Sequence, residues 1–308
     1  MTAASHMSRG DYLRAISVVV IWGLNFVVMK VGLQGLSPML LGGLRFAAAS
    51  LPFLPFVPRP RLPWRFVVLY GLVQGVGQFG LLFLAIRLGM TAGMASVVMQ
   101  TQAFFTLLLA APLLGERAGG YQWAGLCVAA LGLVAIASAH GDGPGQMTLI
   151  GFVLTLGAAF MWATSNLVVR FAGRVAANYD PFAFIVWSSA IPVLPFVALA
   201  AVSEGPAHSW GSVLQIDLRG GFAVLYLALL ATLLAYTMWT RLLKRHAAGR
   251  VAPFSLLVPV VGLWAASAAF SERLSLAQWL GTAAVLLGVL INQIGPRLIA
   301  RLLPNRPN

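Results

Sequence analysis

The chain consists of long apolar runs separated by short segments that are polar or rich in proline and glycine. Each run has about 20 residues, the length that an α-helix needs to cross the hydrocarbon core of a bilayer. Ser37-Pro38 and Asp180-Pro181 are typical helix starts, with a capping oxygen followed by proline at the first helical position. The pattern predicts ten transmembrane helices, near residues 12–33, 38–57, 66–86, 90–113, 120–139, 147–171, 181–202, 220–243, 249–270 and 275–294.

Two stretches of the chain repeat each other. Residues 116–132 and 272–288 share seven identities in seventeen positions, where unrelated apolar helices would share about one or two. Earlier in the chain, Trp22 matches Trp162 and Lys30 matches Arg170, at an offset of 140. The Gly- and Pro-rich segment 141–145 cannot continue a helix. We therefore expect two halves of five helices each, residues 1–145 and 146–308.

The distribution of Lys and Arg predicts the orientation. With the N-terminus in the cytoplasm, fifteen of the twenty basic residues fall in cytoplasmic segments, so the positive-inside rule places both termini there. The exceptions are Lys30, Arg45, Arg87, Arg219 and Arg273. Because five is an odd number, the second half enters the membrane from the opposite side. Inverted repeats of this kind are the build of secondary transporters.

Composition places these helices in lipid. The chain is 60% hydrophobic and 9% charged, whereas a soluble domain has about 25% charged residues. The net charge is +13, but the basic residues stand singly or in small groups between apolar runs. That arrangement is typical of loops facing anionic lipid, so a nucleic-acid partner is not expected. The first run lacks a small-residue cleavage site and is expected to remain as a helix.

Metal and cofactor sites are not expected. The single cysteine, Cys127, lies inside an apolar run and excludes a disulfide within the chain. The histidines are far apart in sequence, in the N-terminal tail or in loops, which does not favour a metal centre. They are His6, His140, His208 and His246.

Several motifs resemble the drug/metabolite transporter superfamily, EamA type. The ends of the fourth and ninth runs read Gly115-Glu116-Arg117 and Ser271-Glu272-Arg273, each followed by Gln-Trp-x-Gly. Trp-Gly-Leu-Asn-Phe at 22–26 and Leu-Arg-Phe at 44–46 also look like that family. The resemblance implies an all-α integral membrane protein with helices around a central cavity and the fifth and tenth helices outside it. Bacterial amino-acid and metabolite exporters, including aromatic amino-acid exporters, are similar. Because Ser271 replaces Gly115, a difference in that turn is expected.

The acidic residues fall at predicted helix ends or in loops, which argues against a carboxylate proton relay at mid-membrane. Glu116 and Glu272 are candidate gate residues near the two faces. The alternative is that each caps or neutralises a helix end beside an arginine. Arg45 lies within the second predicted helix, about 10 Å deep from the outer face of the membrane. It either attracts a substrate carboxylate or reaches toward the interface or a helix carbonyl.

Polar and aromatic residues near the centres of several predicted helices are the candidate substrate-binding residues. Amides are costly in hydrocarbon unless they are paired, so they are expected to point inward. The alternative is hydrogen bonding between helices. The candidates are Trp22, Asn25, Gln74, Gln78, Met99, Gln100, Trp162, Asn166, Tyr236, Phe254 and Ser255.

These patterns together predict a multi-pass protein of the bacterial inner membrane that exports amino acids, aromatic ones among them, or related small metabolites by alternating access. A broad exporter of drug-like amphiphiles is the alternative within transport. A membrane enzyme acting on lipids is a more remote alternative, since no convergent set of acid, base or metal ligands is found. Two fused halves remove the need to dimerise, so a monomer is expected.

Overall fold

The computed structural model describes residues 7–115, 119–141, 146–176, 178–205, 211–246 and 251–302. All regular secondary structure in these residues is helical. The ten segments are α1 (Arg9–Gly35), α2 (Pro38–Ser50), α3 (Trp64–Tyr70, Gly71–Phe79 and Gly80–Arg87), α4 (Ala92–Val98, Met99–Thr101 and Gln102–Leu114), α5 (Gly120–Ser138), α6 (Leu149–Val175), α7 (Pro181–Ala190 and Val193–Glu204), α8 (Leu218–Leu225, Tyr226–Leu234 and Ala235–Arg245), α9 (Ala252–Leu256 and Leu257–Phe270) and α10 (Leu276–Leu302).

Side-chain caps explain where several helices begin. The hydroxyl of Ser37 accepts a hydrogen bond from the backbone N–H of Leu40, with Pro38 at the first helical position. The carboxylate of Asp180 accepts from two N–H groups of the first turn of α7. Caps of this kind satisfy donors that have no partner inside the helix. The predicted starts at both positions are confirmed.

Nine of the helices in the described residues are long and apolar enough to cross a membrane. The exception is α2, which has 13 residues, although a helix over 38–57 was expected. Pro52 and Pro55 lack the backbone N–H that would continue the helix. The chain goes on as hydrogen-bonded turns, with Leu54 donating to the carbonyl of Ser50 and Val57 to that of Phe53. Ten crossings therefore stay a prediction.

The middle sections of α3 and α8 are π-helical, over Gly71–Phe79 and Tyr226–Leu234. These sections start 155 residues apart, close to the offset of 156 that relates the repeated motifs. In α8 the hydroxyl of Thr232 donates to the carbonyl of Leu227, five residues earlier, at 2.8 Å. Long π-helical sections are rare and occur mostly at functional sites, which draws attention to the space between α3 and α8.

Helices α5 and α10 cross through paired glycines. A Cβ built on Gly125 would lie 2.6 Å from the carbonyl oxygen of Gly288, and one on Gly132 would lie 2.6 Å from that of Gly281. The lower-numbered glycine of each helix meets the higher-numbered glycine of the other, so the helices are antiparallel. Gly281 and Gly288 are the repeat equivalents of Gly125 and Gly132, so the contact is symmetric. Close approach through small residues is a common way of packing membrane helices.

The residues that directly follow α4 and α9 have the same conformation. Gly115 has φ 70° and Ser271 has φ 55°, both in the left-handed region. The difference expected from the replacement of Gly115 by Ser271 is not seen at this residue. In the described residues, Ser271 is the single non-glycine residue with positive φ, and a side chain there is strained.

The helices alternate in direction, so their ends collect at two ends of the bundle. We call the end where α1 starts the Asp11 end and the opposite end the Glu272 end. At the Glu272 end, Arg87 donates to the carbonyl of Leu33, and Thr148 donates to that of Leu88 at 2.6 Å.

Candidate functional site

A cavity of about 420 Å³ lies between α1, α3, α4, α6, α8 and α9. It starts near the middle of α1, at Trp22, and extends toward the Asp11 end, past Asn166 on α6 and Thr240 on α8. The half of the bundle toward the Glu272 end is instead filled by buried apolar side chains. These include Met29, Leu33, Phe83, Ile86 and Met94.

Most of the residues predicted to bind substrate line this cavity. Ten of the eleven do so: Trp22, Asn25, Gln74, Gln78, Met99, Gln100, Trp162, Asn166, Tyr236 and Ser255. Phe254 does not, and its ring packs against Tyr12 at 5.9 Å. The reason is local: Phe254 and Ser255 lie in a short 3₁₀ section, Ala252–Leu256, where neighbouring side chains point about 120° apart.

Further lining residues were not singled out from the sequence. They include Tyr70, Phe79, Gln102, Thr106, Trp239, Thr240 and Gln293. The 3₁₀ section Met99–Thr101 in α4 shifts the helical phase, so Gln100 and Gln102 both reach the cavity although two positions apart. Gln293 comes from α10, which the resemblance had placed wholly outside the cavity.

One group of polar side chains at the cavity forms hydrogen bonds between helices. Gln74 donates to the hydroxyl of Tyr236 at 2.7 Å and accepts from that of Ser165 at 2.8 Å, which joins α3, α8 and α6. Gln100 donates to the carbonyl of Ser255 at 2.7 Å, and Asn166 donates to Gln102 at 2.8 Å. For Gln74, Gln100 and Asn166, the helix-packing interpretation of the sequence therefore holds, although these residues also line the cavity.

A second group lacks partners. Among the described residues, the side-chain oxygens of Asn25 and Gln78 are buried and accept no hydrogen bond. The amide of Asn25 makes only a long contact of 3.8 Å to the sulfur of Met29. Buried polar atoms are normally paired, so these two acceptors lack the partner that such positions usually have.

Aromatic rings form one wall of the cavity. Trp22 lies 5.1 Å from Tyr236 and 5.4 Å from Trp239 between ring centroids. The indole N–H of Trp22 donates to the carbonyl of Ala231 at 3.2 Å, which fixes this ring against α8. Rigid aromatic walls with a few polar groups suit a small molecule that has an apolar or aromatic part.

Arg45 does not line the cavity but lies behind its wall. Its side chain is 1% exposed, and its guanidinium carbon lies 3.8 Å from the ring centroid of Phe79. Nε and Nη2 both donate to the hydroxyl of Thr232, at 3.1 and 2.9 Å. Nη1 has no partner in the described part of the chain. Of the alternatives left open for Arg45, reaching toward the interface does not agree with the structure, because the side chain is enclosed by α3 and α8.

Glu272, which follows α9, connects this helix to α1 and α4 at the Glu272 end of the bundle. Its carboxylate accepts from Lys30 on α1 at 2.8 Å and from the backbone N–H groups of Ala92 and Gly93, each at 3.0 Å. Lys30 also lies 4.5 Å from the ring centroid of Phe270. Glu272 thus caps α4, and it forms an ion pair with Lys30 of α1. Glu116, its counterpart in the first half, lies outside the described residues.

A second polar cluster ties α1 to α8 at the Asp11 end. The carboxylate of Asp11 accepts from Ser8 at 2.8 Å and from Arg14 at 2.8 Å, and lies 3.0 Å from a ring nitrogen of His246. These contacts lie beyond the cavity and leave the lining residues untouched.

The EamA-like transporter family model matches residues 11–138 and 149–293. The chain belongs to the EamA-like transporter family. It is 42% identical to a protein of Escherichia coli K12 called a probable amino-acid metabolite efflux pump, over 94% of this chain and 97% of that one. A protein of Salmonella typhimurium with the same name is 43% identical, over 95% and 97% of the two chains. An uncharacterized transporter of Archaeoglobus fulgidus is 28% identical, over 89% and 95%.

One solved structure, described only as the crystal structure of a protein, has the same fold. Its TM-score is 0.63 at 21% sequence identity, and the match covers 96% of this chain and 99% of that one. Family membership and the nine apolar helices of the described residues make the chain a multi-pass inner-membrane protein.

Proposed function

We propose that this protein is a secondary transporter that exports amino acids or related small metabolites by alternating access. The observation that carries the proposal is the central cavity, which combines unpartnered amide acceptors with an aromatic wall. Family membership supports it, as do the names of the two relatives above 40% identity. A volume of about 420 Å³ falls within the range of small-ligand sites and suits a single amino acid.

The position of the cavity fits the loading step of export. With the N-terminus in the cytoplasm, the Asp11 end is the cytoplasmic end, and the cavity extends toward it. The Glu272 end is then the periplasmic end, where Lys30, Glu272 and the start of α4 are held together. Moving the closed region from one end to the other is the task of the two inverted halves, residues 1–145 and 146–308.

The proposed transport is facilitative or an exchange. The described residues that line the cavity include no Asp or Glu, and a buried acid is the usual carrier of a coupling proton. Net flux is expected to continue without a pH gradient. Strict dependence of flux on that gradient would contradict this part of the proposal.

Orientation is testable by labelling. Cys127 is replaced by Ser, and single cysteines are placed at Ser209, in the loop between α7 and α8, or at Arg61, in the loop between α2 and α3. An impermeant reagent added to spheroplasts should label position 209 and leave position 61 unlabelled until lysis. The reverse pattern would invert the orientation and place the cavity on the periplasmic side.

The proposed function is tested by counterflow in proteoliposomes with a panel of labelled amino acids. Exchange of a subset with stereoselectivity is expected, because a rigid aromatic wall and fixed amides discriminate shape. Competition by many unrelated amphiphiles without stereoselectivity would favour the broad drug exporter instead. A chemical change in added lipid would favour the enzyme. The protein is expected to act as a monomer.

A further inference from the structure

The polar groups at the cavity differ in whether they have hydrogen-bond partners within the protein. Gln74, Gln100 and Asn166 have protein partners. Three other buried groups have none in the described residues: the oxygens of Asn25 and Gln78, and Nη1 of Arg45. Two of these are acceptors and one is a charged donor, so together they complement a molecule that carries both an ammonium and a carboxylate group.

Arg45 is unusual among buried arginines. A guanidinium as enclosed as this one is normally paired with a carboxylate. Within the described residues the salt bridges of buried acids involve Asp11 and Glu272, at the two ends of the bundle, and Arg45 is in none of them. Its contacts are one hydroxyl, that of Thr232, and the rings of Phe79 and Phe46, whose centroids lie 3.8 and 5.5 Å from the guanidinium carbon. These contacts leave the charge without a counter-ion.

A narrow crevice of about 20 Å³ lies beside the cavity. Its lining includes Phe46, Phe79 and Thr232, which all contact the guanidinium of Arg45. Tyr70, Gln74, Phe79 and Tyr236 line both the crevice and the central cavity. Phe79 therefore lines the cavity and also contacts Arg45.

Two of the three residues that contact Arg45 lie in the π-helical sections. Phe79 ends the section in α3, and Thr232 is within the section in α8. Such sections change the direction of side chains and often accompany binding sites.

We propose that Arg45 binds the carboxylate of the transported molecule, while the oxygens of Asn25 and Gln78 accept hydrogen bonds from its ammonium group. This assignment rests on the proposed function and narrows it to zwitterionic amino acids, as opposed to amines or neutral amphiphiles. Charge-assisted hydrogen bonds to a guanidinium are strong and geometrically specific. The carboxylate would supply the counter-ion that is absent among the described residues.

The test compares amino acids with their amides, which keep the side chain and the amine but lack the carboxylate. Full-length protein in proteoliposomes is assayed with L-phenylalanine and L-phenylalaninamide, and with L-leucine and L-leucinamide. Because a hydrogen bond to a charged group is worth much more than a neutral one, the wild type should prefer each acid over its amide by about tenfold or more. In Arg45→Gln this preference should fall to within about threefold of unity.

Two further variants separate recognition from structure. Arg45→Lys keeps the charge but not the forked geometry, so it should retain part of the preference. Arg87→Gln also removes one positive charge, but Arg87 is exposed at the Glu272 end, so its acid-to-amide ratio should match the wild type. Continued transport of the amides by Arg45→Gln shows that this variant is folded.

The outcomes are distinguishable. If the wild type prefers the acids and Arg45→Gln keeps that preference, Arg45 is a structural residue and the assignment is overturned while amino-acid export stands. If Arg45→Gln does not fold, Arg45→Lys provides the test. An acid-to-amide preference of Arg45→Lys equal to that of the wild type would overturn the assignment. A wild type that exchanges none of the labelled amino acids of the counterflow panel would overturn the proposed function, and this assignment with it.

Discussion

Glu272 and Gln78 are both polar side chains inside the bundle, but their surroundings are opposite. Glu272 accepts three hydrogen bonds from α1 and α4, including a charged one from Lys30. The oxygen of Gln78 accepts none from the described residues. The Glu272 end is held shut by polar groups that satisfy one another. The cavity instead has polar atoms with no partner among the described residues, which is expected of a site that exchanges water for a ligand.

The difference indicates where stability and recognition are located. A buried group with a full set of partners leaves those partners unpaired when it is removed, and that cost is large. A cavity-facing group without a protein partner is removed at little cost to folding. Substitutions at the two places should therefore separate stability from transport.

The largest effect is expected for Glu272→Gln. The change leaves the ammonium of Lys30 without a counter-charge beside the N-terminus of α4, and breaking a pair of this kind costs about 3 kcal/mol. Thermal unfolding of the purified protein measures it. Asp217→Asn is the matched control, because Asp217 caps α8 through one bond of 2.7 Å to Gly220 and should lose about 1 kcal/mol or less. Equal stability of Glu272→Gln and wild type would show that this end is not held by the pair.

The next largest effect is expected where α1 packs against α9. A Cβ on Gly23 of α1 would lie 2.5 Å from Cβ of Val261 on α9. Gly23→Ala should therefore force α1 and α9 apart and destabilise the protein by about 2 kcal/mol. Gly173→Ala in α6, where nothing lies within 4 Å, should be neutral or stabilising by up to about 1 kcal/mol. A Gly23→Ala protein that unfolds at the wild-type temperature would contradict the close approach.

A matched pair on one helix sharpens the comparison most directly. Gln74→Leu removes the bridge between Ser165 and Tyr236 and should destabilise the protein by about 2 kcal/mol, because both hydroxyls lose a partner. Gln78→Leu should change stability by less than about 0.5 kcal/mol. It should nevertheless weaken substrate exchange about fivefold, the effect of one hydrogen bond. Thermal unfolding and counterflow are measured on both variants. A strongly destabilised Gln78→Leu would assign Gln78 to helix packing.

The smallest effect concerns the turn that follows α9. Ser271 has φ 55°, which costs about 1 kcal/mol for a residue with a Cβ. Ser271→Gly should raise stability by about that amount, and Gly115→Ser, at the equivalent turn, should lower it similarly. Thermal unfolding again provides the measurement. A loss of stability in Ser271→Gly would mean that the side chain makes a compensating contact.

Much of the fold follows from local chemistry and was accessible from the sequence. Ser37-Pro38 and Asp180-Pro181 start helices because capping and proline geometry act within one turn. Two predictions differ from the structure, one because of proline and the other because of helical phase. The length of α2 was overestimated because the apolar run continues past Pro52, and Phe254 was misplaced because a 3₁₀ section turns it away.

Most of the residues that line the cavity could be predicted from the sequence. Which of them form hydrogen bonds to other helices could not. Gln74 and Gln78 have the same chemistry and lie four residues apart on one helix. The partners that distinguish them, Ser165 and Tyr236, come from helices about 90 and 160 residues away in sequence. No local sequence pattern predicts such partners. The enclosure of Arg45 by Phe79 and Thr232 is likewise a product of tertiary packing.

The glycine crossing of α5 and α10 has a consequence for the surrounding lipid. Trp123 and Trp279 lie in the first turns of these antiparallel helices and are 51% and 56% exposed, at opposite ends of the bundle. The 19 residues of α5 span about 28 Å, close to the thickness of a bilayer core. Helices joined backbone to backbone at two levels cannot tilt independently. In a thinner or thicker membrane, the mismatch would therefore be taken up by deformation of the lipid around these two tryptophans.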